Sequence, residues 1–144
     1  MNVAPLLLTL AEAAARDHAL DPVLVKAVVE QESSWNPEAY RYEPAFFEHY
    51  IVPLNLKDAT EANGRAISWG LMQVLGEVAR EVGYSGEFLT SLLTPEIGLE
   101  YGCRHLANKL KAAGGDVTKA LLLWNGGGAP AYAEQVLARM KNYS

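Results

Sequence analysis

The stretch from Asp21 to Pro37 constrains this chain more than any other. Asp21 followed by Pro22 makes a helix start, an acceptor side chain ahead of a proline suited to the first turn. Asn36-Pro37 makes a stop, because the residue before a proline is pushed out of helical backbone. The helix between them carries a carboxylate on its apolar side. With each residue advancing about 100° around the axis, Glu32 lies about 40° from Val28 and about 20° from Val25, on the stripe due to face the core. Glu30 lies about 160° away from Glu32, one turn after Lys26, where a solvent-side ion pair is expected. Glu30 is therefore read as a surface charge. Burial would raise the pKa of Glu32 and keep it protonated as a general acid. The competing reading is a half-exposed carboxylate paired with a lysine or arginine, and helical phase alone does not separate the two.

Helical signals recur along the chain. A first helix is expected over residues 4–18 and a second over 22–33. Residues 36–66 are irregular and polar-aromatic, with a short helix over 44–51; so long a loop region inside a domain is usually functional. Gly70 begins a tight turn into a helix reaching Val82. Thr94-Pro95-Glu96 starts another helix, which ends in Lys109, Lys111 and Gly114-Gly115. Asp116 caps a helix through Leu123, and Pro130 opens the last, with Tyr132, Val136 and Met140. Only residues 65–69 suggest extended chain. The fold class is mainly α, one domain over residues 1–144, with at most a minor β element.

Composition narrows the function. Of 144 residues half are hydrophobic and a fifth charged, enough for one well-packed core. A net charge of −5 without a basic run argues against nucleic-acid binding. No segment reaches transmembrane length, so no membrane insertion is expected. The single cysteine, Cys103, sits in a helical apolar pattern and is read as a structural thiol. His18, His49 and His105 lack metal-ligand spacing and are read as surface or partly packed residues, no Gly-x-Ser-x-Gly elbow occurs, and Gly126-Gly127-Gly128 follows a helix rather than a strand. Neither a metal nor any other cofactor is expected.

Three segments belong together: Gln31-Glu32-Ser33-Ser34-Trp35-Asn36-Pro37, Ser68-Trp69-Gly70-Leu71-Met72-Gln73, and Ala120-Leu121-Leu122-Leu123-Trp124-Asn125-Gly126-Gly127. In this order they resemble the three motifs of the lysozyme-like soluble lytic transglycosylase domain, related to goose-type lysozymes. The stretch Thr94 to Gly102 resembles the family's helix before its last motif, and the resemblance spans about residues 10–143.

The resemblance implies a lysozyme-like fold with a substrate cleft, and a reaction on peptidoglycan glycan strands. Glu32 would be the catalytic acid at the β-1,4 bond between N-acetylmuramic acid and N-acetylglucosamine. Ser68, Met72 and Gln73 would line the cleft and contact substrate, although Met72 serves equally well as core and Gln73 as a helix-start amide. Gly70 would be glycine because backbone there passes close to a sugar ring or to the Glu32 helix. Trp124-Asn125 stands where the family commonly has Tyr-Asn. An indole N–H can donate to Glu32 but cannot accept, so Trp124 would either donate to Glu32 or only wall the substrate pocket, and Asn125 would bind sugar or fix the loop. Core packing for Trp124 and a helix cap for Asn125 are the rival roles. Tyr132 is assigned to substrate contact as well.

Arg41-Tyr42-Glu43-Pro44 resembles a stretch of phage-type members. Glu43 is the candidate second acid, which a hydrolytic lysozyme needs and a transglycosylase does not; pairing with Arg41 or capping the following helix are its other roles. Glu48, Asp58 and Glu61 are weaker candidates. A phage endolysin is expected, monomeric, made in the cytoplasm without an export signal and acting on the wall after release. The alternative of another class is a non-catalytic peptidoglycan-binding module.

Overall fold

The computed structural model describes residues 2–144. Among them eight helices surround a small sheet: α1 (Pro5–Asp17), α2 (Pro22–Ser33), α3 (Pro44–Phe46), α4 (Ala59–Arg65), α5 (Gly76–Glu81), α6 (Pro95–Ala112), α7 (Val117–Trp124) and α8 (Ala131–Met140). Strands β1 (Tyr40–Tyr42), β2 (Ile67–Trp69) and β3 (Val74–Leu75) pair antiparallel in that order. The register sets Arg41 opposite Ser68, and Ser68 opposite Leu75. The mainly α fold with a minor sheet agrees with the sequence expectation.

Helix α2 is the hub, packed against α1 on one side and α8 on the other, while α6 joins α1 and α7. Its start is as expected: the Asp21 side chain accepts from the Val23 N–H at 2.9 Å. Leu24, Val25, Ala27, Val28 and Val29 are buried along it. Its end is sharper than the Asn-Pro signal alone suggested. Ser34 and Trp35 both take left-handed backbone, with φ of 49° and 66°, which folds Trp35 back into the core. The Ser33 hydroxyl donates to Leu71 O at 2.8 Å and pins this helix end to the β2–β3 turn.

That turn departs from expectation. Residues 70–73 are not the first turn of a helix; they reverse the chain from β2 to β3, and α5 starts only at Gly76. Gly70 has φ of 74°, and a Cβ there would meet Leu92 O at 2.6 Å. Its close neighbour is thus the loop before α6, not a sugar or the Glu32 helix. Met72 is fully buried, against Gly102 of α6, where a Cβ would stand 2.8 Å from the Met72 Cβ. Met72 belongs to the core, and its assignment to substrate contact is corrected.

Between β1 and α4 the chain runs through α3, a π-helical turn at Phe47–Ile51 and a 3-10 turn at Val52–Leu54. Ile51 anchors this rod in the core; the rest of it is exposed or half-buried.

Candidate active site

A cavity of about 580 Å³ opens between the sheet and the helices. Glu32 reaches it from the last turn of α2, and Ser68, Gln73, Val74 and Leu75 line its sheet side. Arg41, Glu43 and Phe46 form one rim, and His105, Trp124 and Asn125 the opposite wall.

Glu32 is the half-buried carboxylate of this cavity. The Trp124 indole N–H donates to its Oε2 at 3.2 Å, and the Tyr132 hydroxyl donates to the same oxygen. Burial pushes its pKa above the ordinary value, while the two hydrogen bonds pull the other way without cancelling it. Tyr132 is itself pushed far up, by burial first and then by the Glu32 charge, so its hydroxyl remains a donor. Both donors use Oε2. Among the described residues Oε1 receives no hydrogen bond.

Trp124 therefore both walls the cavity and donates, the two roles left open by its replacement of tyrosine. The hydroxyl that the third motif lacks is supplied from α8. Tyr132 is 7% exposed and does not line the cavity; its assignment to substrate contact is corrected to positioning of Glu32. Asn125 closes α7 and also lines the cavity. Gln73 lines it too, but its amide N–H donors go to Ala39 O at 3.1 Å and Gly70 O at 2.9 Å, which locks the β2–β3 turn. Ser68 lines the cavity from the middle strand.

Glu43 faces the same cavity and pairs with Arg41 at 3.3 Å. The weaker acid candidates have other work. Asp58 caps α4 through the Thr60 and Glu61 N–H groups, Glu61 is held by Arg65 and Arg80 at 2.8 Å each, and Glu48 is exposed.

Glu30 is not the solvent-side charge read from helical phase. Lys26 pairs with Glu12 instead, at 3.0 Å, and Glu30 is 5% exposed. Residues of the last turn of α8 and just after it lie over it: Tyr143 donates to Oε1 at 2.6 Å, Asn142 at 3.3 Å, and Arg139 forms an ion pair with Oε2. Burial pushes the Glu30 carboxyl up, but these hydrogen bonds and the guanidinium outweigh it and hold it below its ordinary value.

His105 was read from sequence as a surface or partly packed histidine. It lines the cavity with its ring centroid 5.2 Å from that of Trp124, and burial brings its pKa down to about 4, so it is neutral at physiological pH. No local pattern marks it. The inward position of Tyr132 was readable, since Val136 and Met140 follow it at helical spacing. Cys103 is buried and its thiol pushed up to about 12, chiefly by burial, as suits a structural residue.

Among curated proteins and among solved structures no match to the chain is found. The model of the family described as "Transglycosylase SLT domain" matches residues 9–142, nearly the whole chain. The matched span contains the cavity, Glu32 and both of its donors, and it shows that the chain belongs to the SLT transglycosylase family, enzymes that cleave glycosidic bonds in peptidoglycan.

Proposed function

We propose that this domain cleaves the β-1,4 bond between N-acetylmuramic acid and N-acetylglucosamine as a lytic transglycosylase, with Glu32 as acid and then base. The observation that carries the reading is a carboxyl group with a raised pKa, held through Oε2 at a sugar-sized cavity with Oε1 free. In the first step the Oε1 proton passes to the glycosidic oxygen as its bond to C1 of muramic acid breaks. In the second the Glu32 carboxylate takes the proton of the muramic C6 hydroxyl while O6 bonds to C1. The product ends in a 1,6-anhydro ring and no water is consumed. Neutral His105 and Asn125 face the same space as uncharged hydrogen-bonding groups for the sugar.

A second reading has one observation in its favour: Glu43 lines the same cavity and could activate water for hydrolysis. Its ion pair with Arg41 favours the first reading. The Arg41-Tyr42-Glu43-Pro44 stretch supports a phage-type endolysin, monomeric and bacteriolytic, that reaches the wall through a lesion made by another protein. The test is Glu32→Gln against insoluble peptidoglycan. Lost release with retained sedimentation on walls supports the enzyme; equal binding by wild type and variant, with no release by either, would leave only a binding module.

A further inference from the structure

We propose that the exposed aromatic face of residues 42–50 is a second carbohydrate-binding surface, one that holds the glycan strand beyond the bond being cut. The inference rests on the peptidoglycan reading of the cleft. Phe46, a rim residue of the cavity, has its ring centroid 4.9 Å from that of Tyr50. Tyr50 is 63% exposed, and the exposed His49 ring lies 6.2 Å further along. A second pair stands beside it: Tyr42, 43% exposed, has its ring 6.1 Å from that of half-buried Phe47, the residue after Phe46.

The backbone is built to present these rings. Phe46 and Tyr50 are four residues apart, so they share one side of the rod. Val52 N–H bonds Phe47 O across five residues, the wide turn that often marks functional sites. Ile51 alone is fully buried, so the rings are not needed for the core. An aromatic strip of Phe46, Tyr50 and His49 with its outer rings left in water marks a binding surface.

Two observations choose the occupant. The face continues the cleft through Phe46, so a polymer lying in the cavity and leaving over that rim must cross it. The chain carries a net charge of −5, so long-range attraction does not draw it to an anionic wall. Attraction must come from uncharged contact, and the C–H faces of pyranose rings suit aromatic side chains.

The test compares the full chain with Tyr50→Ala, Tyr42→Ala and the double variant, on insoluble peptidoglycan and on a soluble fragment of two disaccharides. Sedimentation on walls is measured in the Glu32→Gln background. The expected result is binding to walls weakened about tenfold in the double variant, a raised KM with kcat held on walls, and a loss confined to the long substrate. Tyr50→Trp should restore binding. Unchanged wall binding in the double variant overturns the proposal while leaving the cleft reading intact. Equal loss on both substrates also overturns it, as does a dimer in light scattering that Tyr50→Ala dissolves without changing wall affinity. If unsubstituted protein neither binds nor cuts walls, the cleft reading itself fails.

Discussion

The hydroxyl of Tyr132 donates to Oε2 of Glu32, 100 residues earlier in the chain. With the Trp124 indole on the same oxygen, it holds the Glu32 carboxyl in place at the cavity through Oε2. Hydrogen bonds to a carboxylate favour its charged form, so removing one raises the pKa further. Tyr132→Phe should lower kcat by about ten- to a hundredfold and move the alkaline limb of the pH–rate profile upward. Trp124→Phe should do the same to a smaller degree. A limb that stays in place would mean these groups do not tune Glu32.

Glu30 should be a stability residue with an acid signature. Its folded pKa lies below the ordinary value, so its contribution is present above the unfolded carboxylate pKa and disappears as pH falls through the folded one. Glu30→Gln should cost about 2 kcal/mol at neutral pH, discounted for the partly exposed Arg139. Chemical denaturation at a series of pH values should show this cost shrinking under acid conditions. A pH-independent loss would point to packing rather than charge.

Met72→Ala should cost about 3 kcal/mol in denaturant unfolding, as for other buried large-to-small changes. Activity per folded molecule should be nearly unchanged at a temperature where the variant is folded. A selective rise in KM at full stability would return Met72 to the cleft.

Much of this was readable in the sequence because it is local. Asp21 and Asp116 cap helices with their own neighbours, Pro95 opens α6, and the phase of Glu32 relative to Val25 and Val28 put it on the inner face. The same phase misplaced Glu30, since helical periodicity knows only one helix. The side chains that cover Glu30 arrive from residues 139–143, more than a hundred positions away. Distance along the chain also hid the donor role of Tyr132 and the cavity position of His105. At Met72 and Gly70 the neighbours are Gly102 and Leu92 O, set by how α6 and its preceding loop cross the β2–β3 turn.

Glu43 separates the two reaction types. If Glu32 works alone, Glu43→Gln should retain product chemistry and lower kcat/KM by no more than about threefold, a loss of substrate positioning only. Progress curves on purified walls measure this directly. A fall of a hundredfold or more, about 3 kcal/mol in transition-state stabilisation, would make Glu43 a participant.

The central claim is tested most directly by mass spectrometry of the muropeptides released from insoluble peptidoglycan, with Glu32→Gln as the control. Glu32→Gln should also be more stable to unfolding by about 1 kcal/mol, because it removes a carboxyl whose charged form burial disfavours. The expected products end in 1,6-anhydro-muramic acid, one water lighter than hydrolysed ends, and vanish in the variant. Reducing-end muramic acid would contradict transglycosylation, and release that persists in Glu32→Gln would contradict the role given to Glu32.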